Sequence, residues 1–87
     1  MASEPRTWAT AIALFAELVN DRKRLLGSDH ARTIESSLQH ARFLAAAGER
    51  QRAATLLTET RRVCVNALGD QHPLSQFTEH LLRTLSR

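Results

Sequence analysis

The sequence predicts an all-α fold of four antiparallel helices stacked as helical hairpins. Apolar residues recur at steps of three and four along nearly the whole chain, which matches the helix period of 3.6 residues and not the alternation of a strand. Each of the three glycines follows one of these periodic segments, where a helix C-terminus favours a residue without a β-carbon. Eighty-seven residues make at most one domain, so residues 1–87 are predicted to form a single domain.

The first predicted helix covers about residues 6–26. Its apolar side chains fall on one stripe, which predicts that this face packs against the rest of the domain. Gly27 follows directly, in the position of a C-terminal cap. The predicted stripe consists of Trp8, Ala11, Ile12, Phe15, Leu18, Val19, Leu25 and Leu26.

The second predicted helix covers about residues 31–47 and stops at Gly48. Ser28 and Asp29 precede it, and their side-chain oxygens are predicted to accept hydrogen bonds from the free N–H groups of its first turn. Its predicted apolar stripe consists of Ile34, Leu38, Ala41, Leu44 and Ala45.

The third and fourth predicted helices cover about residues 49–68, before Gly69, and about 73–86. Cys64 falls on the apolar stripe of the third helix and is predicted to be a small core residue. Pro73 stands near the start of the fourth helix, where a missing N–H has no cost. The two predicted stripes are Ala53, Leu56, Leu57, Thr60, Cys64, Ala67 and Leu68, and then Leu74, Phe77, Leu81 and Leu85.

The ends of the first and third helices share one sequence pattern. Leu-Gly-Ser-Asp-His at 26–30 returns as Leu-Gly-Asp-Gln-His at 68–72, so the two glycines, Gly27 and Gly69, are 42 residues apart. A fixed period of this size is typical of a stacked array of helical hairpins. The other matches at this offset are Ala11 with Ala53, Leu14 with Leu56, Phe15 with Leu57 and Glu17 with Glu59.

The repeated segments also carry a family resemblance. Leu-Gly-Ser-Asp-His-Ala-Arg-Thr-Ile at 26–34 resembles the Leu-Gly-Pro-Asp-His-Pro-Asp-Thr-Leu segment of kinesin-light-chain-type tetratricopeptide repeats. Gly-Glu-Arg-Gln-Arg-Ala-Ala-Thr-Leu-Leu at 48–57 resembles the turn and second helix of the same repeats. This is the 42-residue variety, which is common in bacterial regulators as well as in the motor adaptor. The resemblance extends from about Arg6 to Leu85.

The resemblance sets the register of the repeats. It implies a short solenoid with a half-repeat at 6–27, one complete repeat at 28–69 and a second half-repeat at 70–87. The chain departs from the family pattern at several positions: Trp8 and Arg50 take the place of a frequent tyrosine, and His40 that of a leucine. Leu38 and Gln39 stand where many members carry two asparagines that hold the backbone of a bound peptide.

The function implied by the resemblance is that of a non-enzymatic module that binds a protein or peptide, as an adaptor or as part of a larger regulator. The family binds its ligands on the concave surface formed by the first helix of each hairpin. In that position Arg42 suits a carboxylate and Gln39 a peptide amide; the alternative is that this surface is only solvated. The positions carried over are Glu35, Gln39, Arg42, Phe77, His80 and Thr84.

The incomplete repeats suggest a different function, which is self-association or docking through the apolar ends. Each half-repeat lacks its partner helix, so its apolar stripe is predicted to lie at an end of the array. A second copy of the chain would cover such an end, whereas a compact four-helix bundle would bury the same stripes internally. The end residues concerned are Trp8, Ile12, Phe15, Leu81 and Leu85.

Composition argues against several other classes of protein. Twelve basic residues oppose nine acidic ones, and the basic residues are scattered over all four helices. Nucleic-acid binding is therefore only a lesser alternative. It would require that the Arg22–Arg24 and Arg61–Arg62 clusters form one basic stripe. The chain shows no phosphate-binding loop and no catalytic constellation, which predicts no enzyme activity and no cofactor.

Metal binding and membrane insertion are also not expected. His30 and His72 occupy one place in successive repeats and are predicted to start helices rather than to bind a metal. Cys64 is the only cysteine, and the chain has no signal-peptide core and no apolar run of about 18–20 residues, so a reducing, cytoplasmic location is expected.

Overall fold

The structure, a computed structural model, describes residues 5–86 and contains four α-helices and no strand within that range. The all-α prediction is therefore confirmed, and every observed helix boundary lies within one residue of the predicted one. Residues 1–4 and 87, which the predicted domain includes, lie outside the described residues. The helices are α1 (Pro5–Leu26), α2 (Ala31–Ala46), α3 (Arg50–Leu68) and α4 (Pro73–Leu85).

The two Leu-Gly-x-x-His turns fold alike. Gly27 and Gly69 have φ angles of 94° and 92°, in a region that favours glycine because other residues would place a β-carbon against the backbone. The N–H groups of His30 and His72 donate to the carbonyl oxygens of these glycines at 3.4 and 3.3 Å. The 42-residue repeat is thus a repeat of backbone geometry as well as of sequence.

The two histidines cap the helices that follow them. Nδ1 of His30 and Nδ1 of His72 each accept a hydrogen bond from the backbone N–H two residues later, both at 3.1 Å. This confirms that they start helices. The prediction that Ser28 and Asp29 supply the cap of α2 is wrong, because the extended backbone of the N-cap position falls at His30 and leaves those two residues in the preceding turn.

The four helices form an open stack. α2 packs against α1, α3 and α4, and α4 also packs against α3, whereas α1 and α4 make no contact with each other within residues 5–86. The stack measures 40 × 33 × 17 Å, which is flat compared with a closed four-helix bundle. The main core lies between α2 and α3 and consists of Ile34, Leu38, Ala41, Leu57 and Cys64, so the core assignment of Cys64 is confirmed.

Small hydroxyl residues allow the helices to approach closely. Ser36, Thr60 and Thr78 are buried, and each hydroxyl donates to the carbonyl oxygen four residues earlier, at 3.1, 2.7 and 2.7 Å. Ser75 donates to the carbonyl of Gly69 at 2.6 Å. Because these hydroxyls keep a hydrogen-bond partner, their burial costs little. None of the four helices combines the length and the apolar character that a membrane span requires.

Candidate functional site

An open groove runs along the exposed face of α2. α1 forms one wall and α4 the other, because these two helices flank α2 without meeting. The groove, here called the α2 groove, has a volume of about 410 Å³. Its lining residues are Phe15, Leu18 and Arg22 of α1, Arg32, Glu35, Ser36, Leu38 and Gln39 of α2, and Leu74 and Phe77 of α4.

The two walls of the α2 groove are apolar. Phe15 and Leu18 lie on one side, and Leu74 and Phe77 lie on the other. Phe15 is supported from behind by Phe43, whose ring stacks on it at a centroid distance of 5.0 Å and an interplanar angle of 28°. Phe77 is 38% exposed, so much of its ring remains available for contact. The facing walls suit an apolar side chain inserted between them.

The polar side chains that line the α2 groove, most of them on its floor, carry more positive than negative charge. Arg22 and Arg32 contribute two guanidinium groups, and Glu35 contributes one carboxylate. Nε of Arg22 is buried and has no hydrogen-bond partner, which leaves a donor unsatisfied at the edge of the groove. Ser36 is already engaged with the carbonyl of Arg32, and Gln39 is exposed. The floor therefore suits a ligand that brings a carboxylate or carbonyl oxygens.

The structure brings together half of the groove residues predicted from the sequence. Glu35, Gln39 and Phe77 line the α2 groove. Arg42 is exposed on the same face of α2, one turn beyond Gln39, and lies outside the lining. His80 and Thr84 are exposed on α4 outside the groove, and the Thr84 hydroxyl donates to the His80 carbonyl at 3.0 Å.

The residues predicted to form apolar ends pack inward instead of standing exposed. Trp8 contacts Phe43 at a ring-centroid distance of 5.8 Å, and Ile12 and Phe15 are half-buried on the same helix. Leu81 and Leu85, at the other end, pack against the core between α2 and α3. These five side chains are thus half-buried, and Phe15 also lines the α2 groove, although the stack does not close into a bundle.

A different set of leucines is exposed. Leu14, Leu18 and Leu25 on α1 are 61%, 36% and 80% exposed. The prediction that Leu25 belongs to the packed stripe of α1 is wrong, because the packed side of that helix is set by Trp8 and Val19, which lie about 100° and 120° around the helix from Leu25. The 42-residue match of Leu14 with Leu56 was the signal for a second apolar face.

A second hollow lies on the other side of α2, between α2 and α3. It is larger, at about 610 Å³, but both of its sides come from one hairpin, so no separate helix faces it across an opening. Nε2 of His40 is buried there without a partner. Burial, followed by the charge of Arg52, lowers the pKa of His40. The α2 groove is the better candidate for a binding site, because it has two facing apolar walls.

The arginines outside the groove are largely paired with acids. Arg61 and Arg83 both contact Glu79, at 3.1 and 3.0 Å, and these hydrogen bonds, that of Arg83 first, hold the pKa of Glu79 below its usual value. Arg24 pairs with Asp21 and Arg62 with Glu59. These ion pairs neutralise most of the predicted basic stripe, so a nucleic-acid interface finds little support. No cluster of metal-binding side chains occurs in the described part of the chain.

Comparison with known proteins identifies one match. Residues 39–74 match the family model described as "Tetratricopeptide repeat". The matched segment extends from the middle of α2 through α3 to the start of α4, so it includes the second Leu-Gly-x-x-His turn. No curated protein and no solved structure matches the chain significantly.

Proposed function

We propose that this chain, which is a protein of the tetratricopeptide repeat type, binds a segment of a partner protein in the α2 groove and catalyses no reaction. Tetratricopeptide repeats are protein-interaction modules in general. The observation that carries the proposal is the pair of facing walls, Phe15 with Leu18 and Leu74 with Phe77, above a floor of polar side chains. Such a combination of apolar anchors and oriented polar groups is typical of ligand sites.

The chemistry of the groove suggests what its ligand contains. An apolar side chain would fill the space between Phe15 and Phe77. A carboxylate would pair with Arg32 or with the unsatisfied Nε of Arg22, since a guanidinium binds a carboxylate with two parallel hydrogen bonds in the best geometry. We therefore propose a short peptide segment in which an acidic residue lies next to a leucine or an aromatic residue.

The wider role that fits this chemistry is that of an adaptor, or of a binding module within a larger regulator of the 42-residue repeat type. Arrays of such repeats bind through surfaces and not through reactive groups. Cys64 is buried and hydrogen-bonded to Ser75 at 3.2 Å, which fits a thiol that serves packing in a reducing compartment such as the cytoplasm.

The proposal is tested by selecting binders from a random-peptide phage library on the wild-type chain. The selected peptides should be enriched in an acidic residue beside an apolar one. Their affinity, measured by fluorescence anisotropy, should fall about tenfold or more for Phe77→Asp and for Arg32→Glu, because central anchors and charge pairs each contribute roughly 1–3 kcal/mol. His80→Ala serves as the matched control, since His80 is exposed on α4 outside the groove, and its affinity should equal that of the wild type.

Two results would contradict this function. The first is a set of selected peptides that bind Phe77→Asp and Arg32→Glu as tightly as the wild type. The second is the loss of binding in His80→Ala together with full binding in Gln39→Ala, which would place the site on the outer face of α4. Circular dichroism of each variant checks that the helices are retained, which is expected because Gln39, Arg32 and Phe77 are all exposed.

A further inference from the structure

The exposed leucines of α1 have the spacing of a helix-pairing seam. Leu14, Leu18 and Leu25, together with Ala11 and Asp21, follow each other at alternating steps of three and four residues. This spacing places all five on one side of the helix and is the pattern by which two helices interlock their side chains. Leu14 and Leu25 are 61% and 80% exposed, and nothing in the described part of the chain covers them.

The internal repeat shows what kind of element fits this face. Ala11, Leu14 and Leu18 correspond, 42 residues later, to Ala53, Leu56 and Thr60. In α3, Ala53 and Thr60 are buried and Leu56 packs against the core.

The cover of those positions in α3 is a helix. Leu56 packs against a cluster to which α2 contributes Ile34, Leu38 and Ala41. The part of this face formed by Ala11, Leu14 and Leu18 therefore corresponds to positions that a helix covers 42 residues later, whereas Leu25 corresponds to Ala67, which is exposed.

We infer that a second copy of this chain covers the face, with α1 of one copy pairing antiparallel to α1 of the other and Leu14 lying opposite Leu25 of the second copy. This arrangement places all three leucines of each copy in the contact. It makes a closed, two-fold dimer, since the same patch is used on both sides.

Charge favours the antiparallel direction. With Leu14 opposite Leu25, Glu17 comes to lie beside Arg24 of the second copy. The two-fold symmetry places Arg24 beside Glu17 of the second copy at the other end of the pair. A parallel pair would instead bring the two copies of Asp21 face to face, where like charges repel. Glu17, Asp21 and Arg24 are all exposed, and Arg24, which pairs with Asp21 of its own helix, can contact Glu17 of the second copy as well.

Charge and polarity also disfavour head-to-tail stacking of copies. For that, the leucine face of α1 would have to meet the outer face of α4. The outer face of α4 carries Gln76, Glu79, His80 and Arg83, at the positions that correspond to the buried Ile34, Ser37, Leu38 and Ala41 of α2. A polar surface of this kind ends an array of helices, so the dimer is expected not to extend into a filament.

Sedimentation equilibrium tests the dimer. A pair of single helices makes a small interface, below about 1,200 Å², so the association is expected to be weak and to depend on concentration. The wild-type mass should rise from 9.8 kDa towards twice that value between about 10 μM and 1 mM. The variant Leu14→Glu/Leu25→Glu should stay at 9.8 kDa throughout. Ala13→Glu, which adds a carboxylate at an exposed position on another side of α1, should behave as the wild type.

Disulfide cross-linking tests the direction of the pair. An equimolar mixture of Leu14→Cys and Leu25→Cys should oxidise mainly to the mixed dimer, because the antiparallel pair brings these two positions together. Cross-linking of each variant with itself, and not with the other, would indicate a parallel pair and overturn the proposed arrangement. The wild-type chain is the control for Cys64, which is buried and should not cross-link.

The dimer itself is overturned by a wild-type mass of 9.8 kDa at every concentration, or by a Leu14→Glu/Leu25→Glu variant that doubles in mass like the wild type. In the first case the face is left for a helix of a different protein. The double variant separates the dimer from the peptide site, because neither Leu14 nor Leu25 lines the α2 groove, whereas Leu18 belongs to both surfaces. Peptides selected on the wild type should bind Leu14→Glu/Leu25→Glu with unchanged affinity at protein concentrations at which the wild type is monomeric.

Discussion

α1 and α3 share a sequence pattern at an offset of 42 residues, yet they bury different parts of themselves. At one pair of equivalent positions, 42 residues apart, Leu18 is 36% exposed and Thr60 is 5% exposed. At another pair, Phe15 is half-buried and Leu57 is 1% exposed. The more apolar residue is the more exposed one in the first pair, which is the reverse of the usual order.

The difference is explained by the neighbours of each helix. α3 has α2 on one side and α4 on the other, whereas α1 has only α2 within the described residues. α3 is therefore buried from two sides, whereas α1 is buried from one side and keeps an apolar face exposed. In a repeat array, burial depends on the adjacent units as well as on the sequence of the helix itself.

Truncation of Leu57 and of Phe15, which are 42 residues apart, should show the difference in burial between α3 and α1 most clearly. Leu57→Ala is expected to lower the free energy of unfolding by about 2–5 kcal/mol, since it leaves a cavity in a fully buried site. Phe15→Ala should cost about half as much, because Phe15 keeps one side towards the open α2 groove although its ring stacks on Phe43. Urea denaturation at low protein concentration measures both. An equal or larger loss for Phe15→Ala would show that α1 is packed as fully as α3.

In contrast, replacing the glycine of either Leu-Gly-x-x-His turn should lower the free energy of unfolding by a similar amount. Gly27→Ala and Gly69→Ala are each expected to cost about 1–3 kcal/mol, because both glycines have φ above 90°, where a β-carbon strains the backbone. At Gly27 the added β-carbon would also lie 3.2 Å from Oδ1 of Asp29, but that side chain is exposed and can move. Thermal unfolding monitored by circular dichroism measures the two losses. Losses that differ by more than about 1 kcal/mol would mean that the turns are not equivalent.

Much of the fold could be predicted from the sequence, because the spacing of apolar residues and the glycines that follow helix ends are local signals. Helix boundaries, the core role of Cys64 and the equivalence of His30 and His72 all follow from spacing alone. The cap of α2 could not be placed as well. Serine and aspartate are better general capping residues than histidine, and only the turn geometry after Gly27 moves the N-cap position to His30.

The candidate site was harder to predict, because it depends on which helices leave a gap. The family resemblance places Glu35, Gln39 and Phe77 on the concave surface, and these residues do line the α2 groove. The same carried-over set includes Arg42, His80 and Thr84, which lie too far along their helices to face the opening. The wall formed by α1 was not predicted as part of the groove, since Phe15 was assigned to an apolar end and Leu18 to the packed stripe of that helix.

Removal of the histidine caps should give a smaller effect than the glycine changes. His30→Ala and His72→Ala are each expected to lower the free energy of unfolding by about 1 kcal/mol, as loss of an N-cap acceptor does in general. His30→Asn and His72→Asn should lose only a few tenths of a kcal/mol, because asparagine also accepts from the first turn. A larger loss of stability for His72→Ala than for His30→Ala would sharpen the comparison, since His72 is half-buried whereas His30 is exposed. Asparagine variants as unstable as the alanine variants would contradict a capping role.

The smallest expected effect concerns His40, whose equivalent 42 residues later is Leu82. Burial, followed by the charge of Arg52, lowers the pKa of His40 below its ordinary value of 6.5. Between the lowered pKa and 6.5 the unfolded chain therefore binds more protons than the folded one. In that window stability falls as the pH decreases and is regained as the pH rises towards 6.5.

Replacement of His40 by leucine, the residue at the equivalent position 82, removes this dependence of stability on pH. The wild type should lose more stability than His40→Leu when the pH is lowered from about 7.5 to 5.5, and the other three histidines, which both proteins share, cancel in the difference. The effect is small because His40 is only partly buried, and solvent screens its charge. Urea denaturation of both proteins across this range measures it. Parallel pH profiles would show that His40 is as free to take up a proton in the folded chain as in the unfolded one, and that the hollow between α2 and α3 does not differ electrostatically from open solvent.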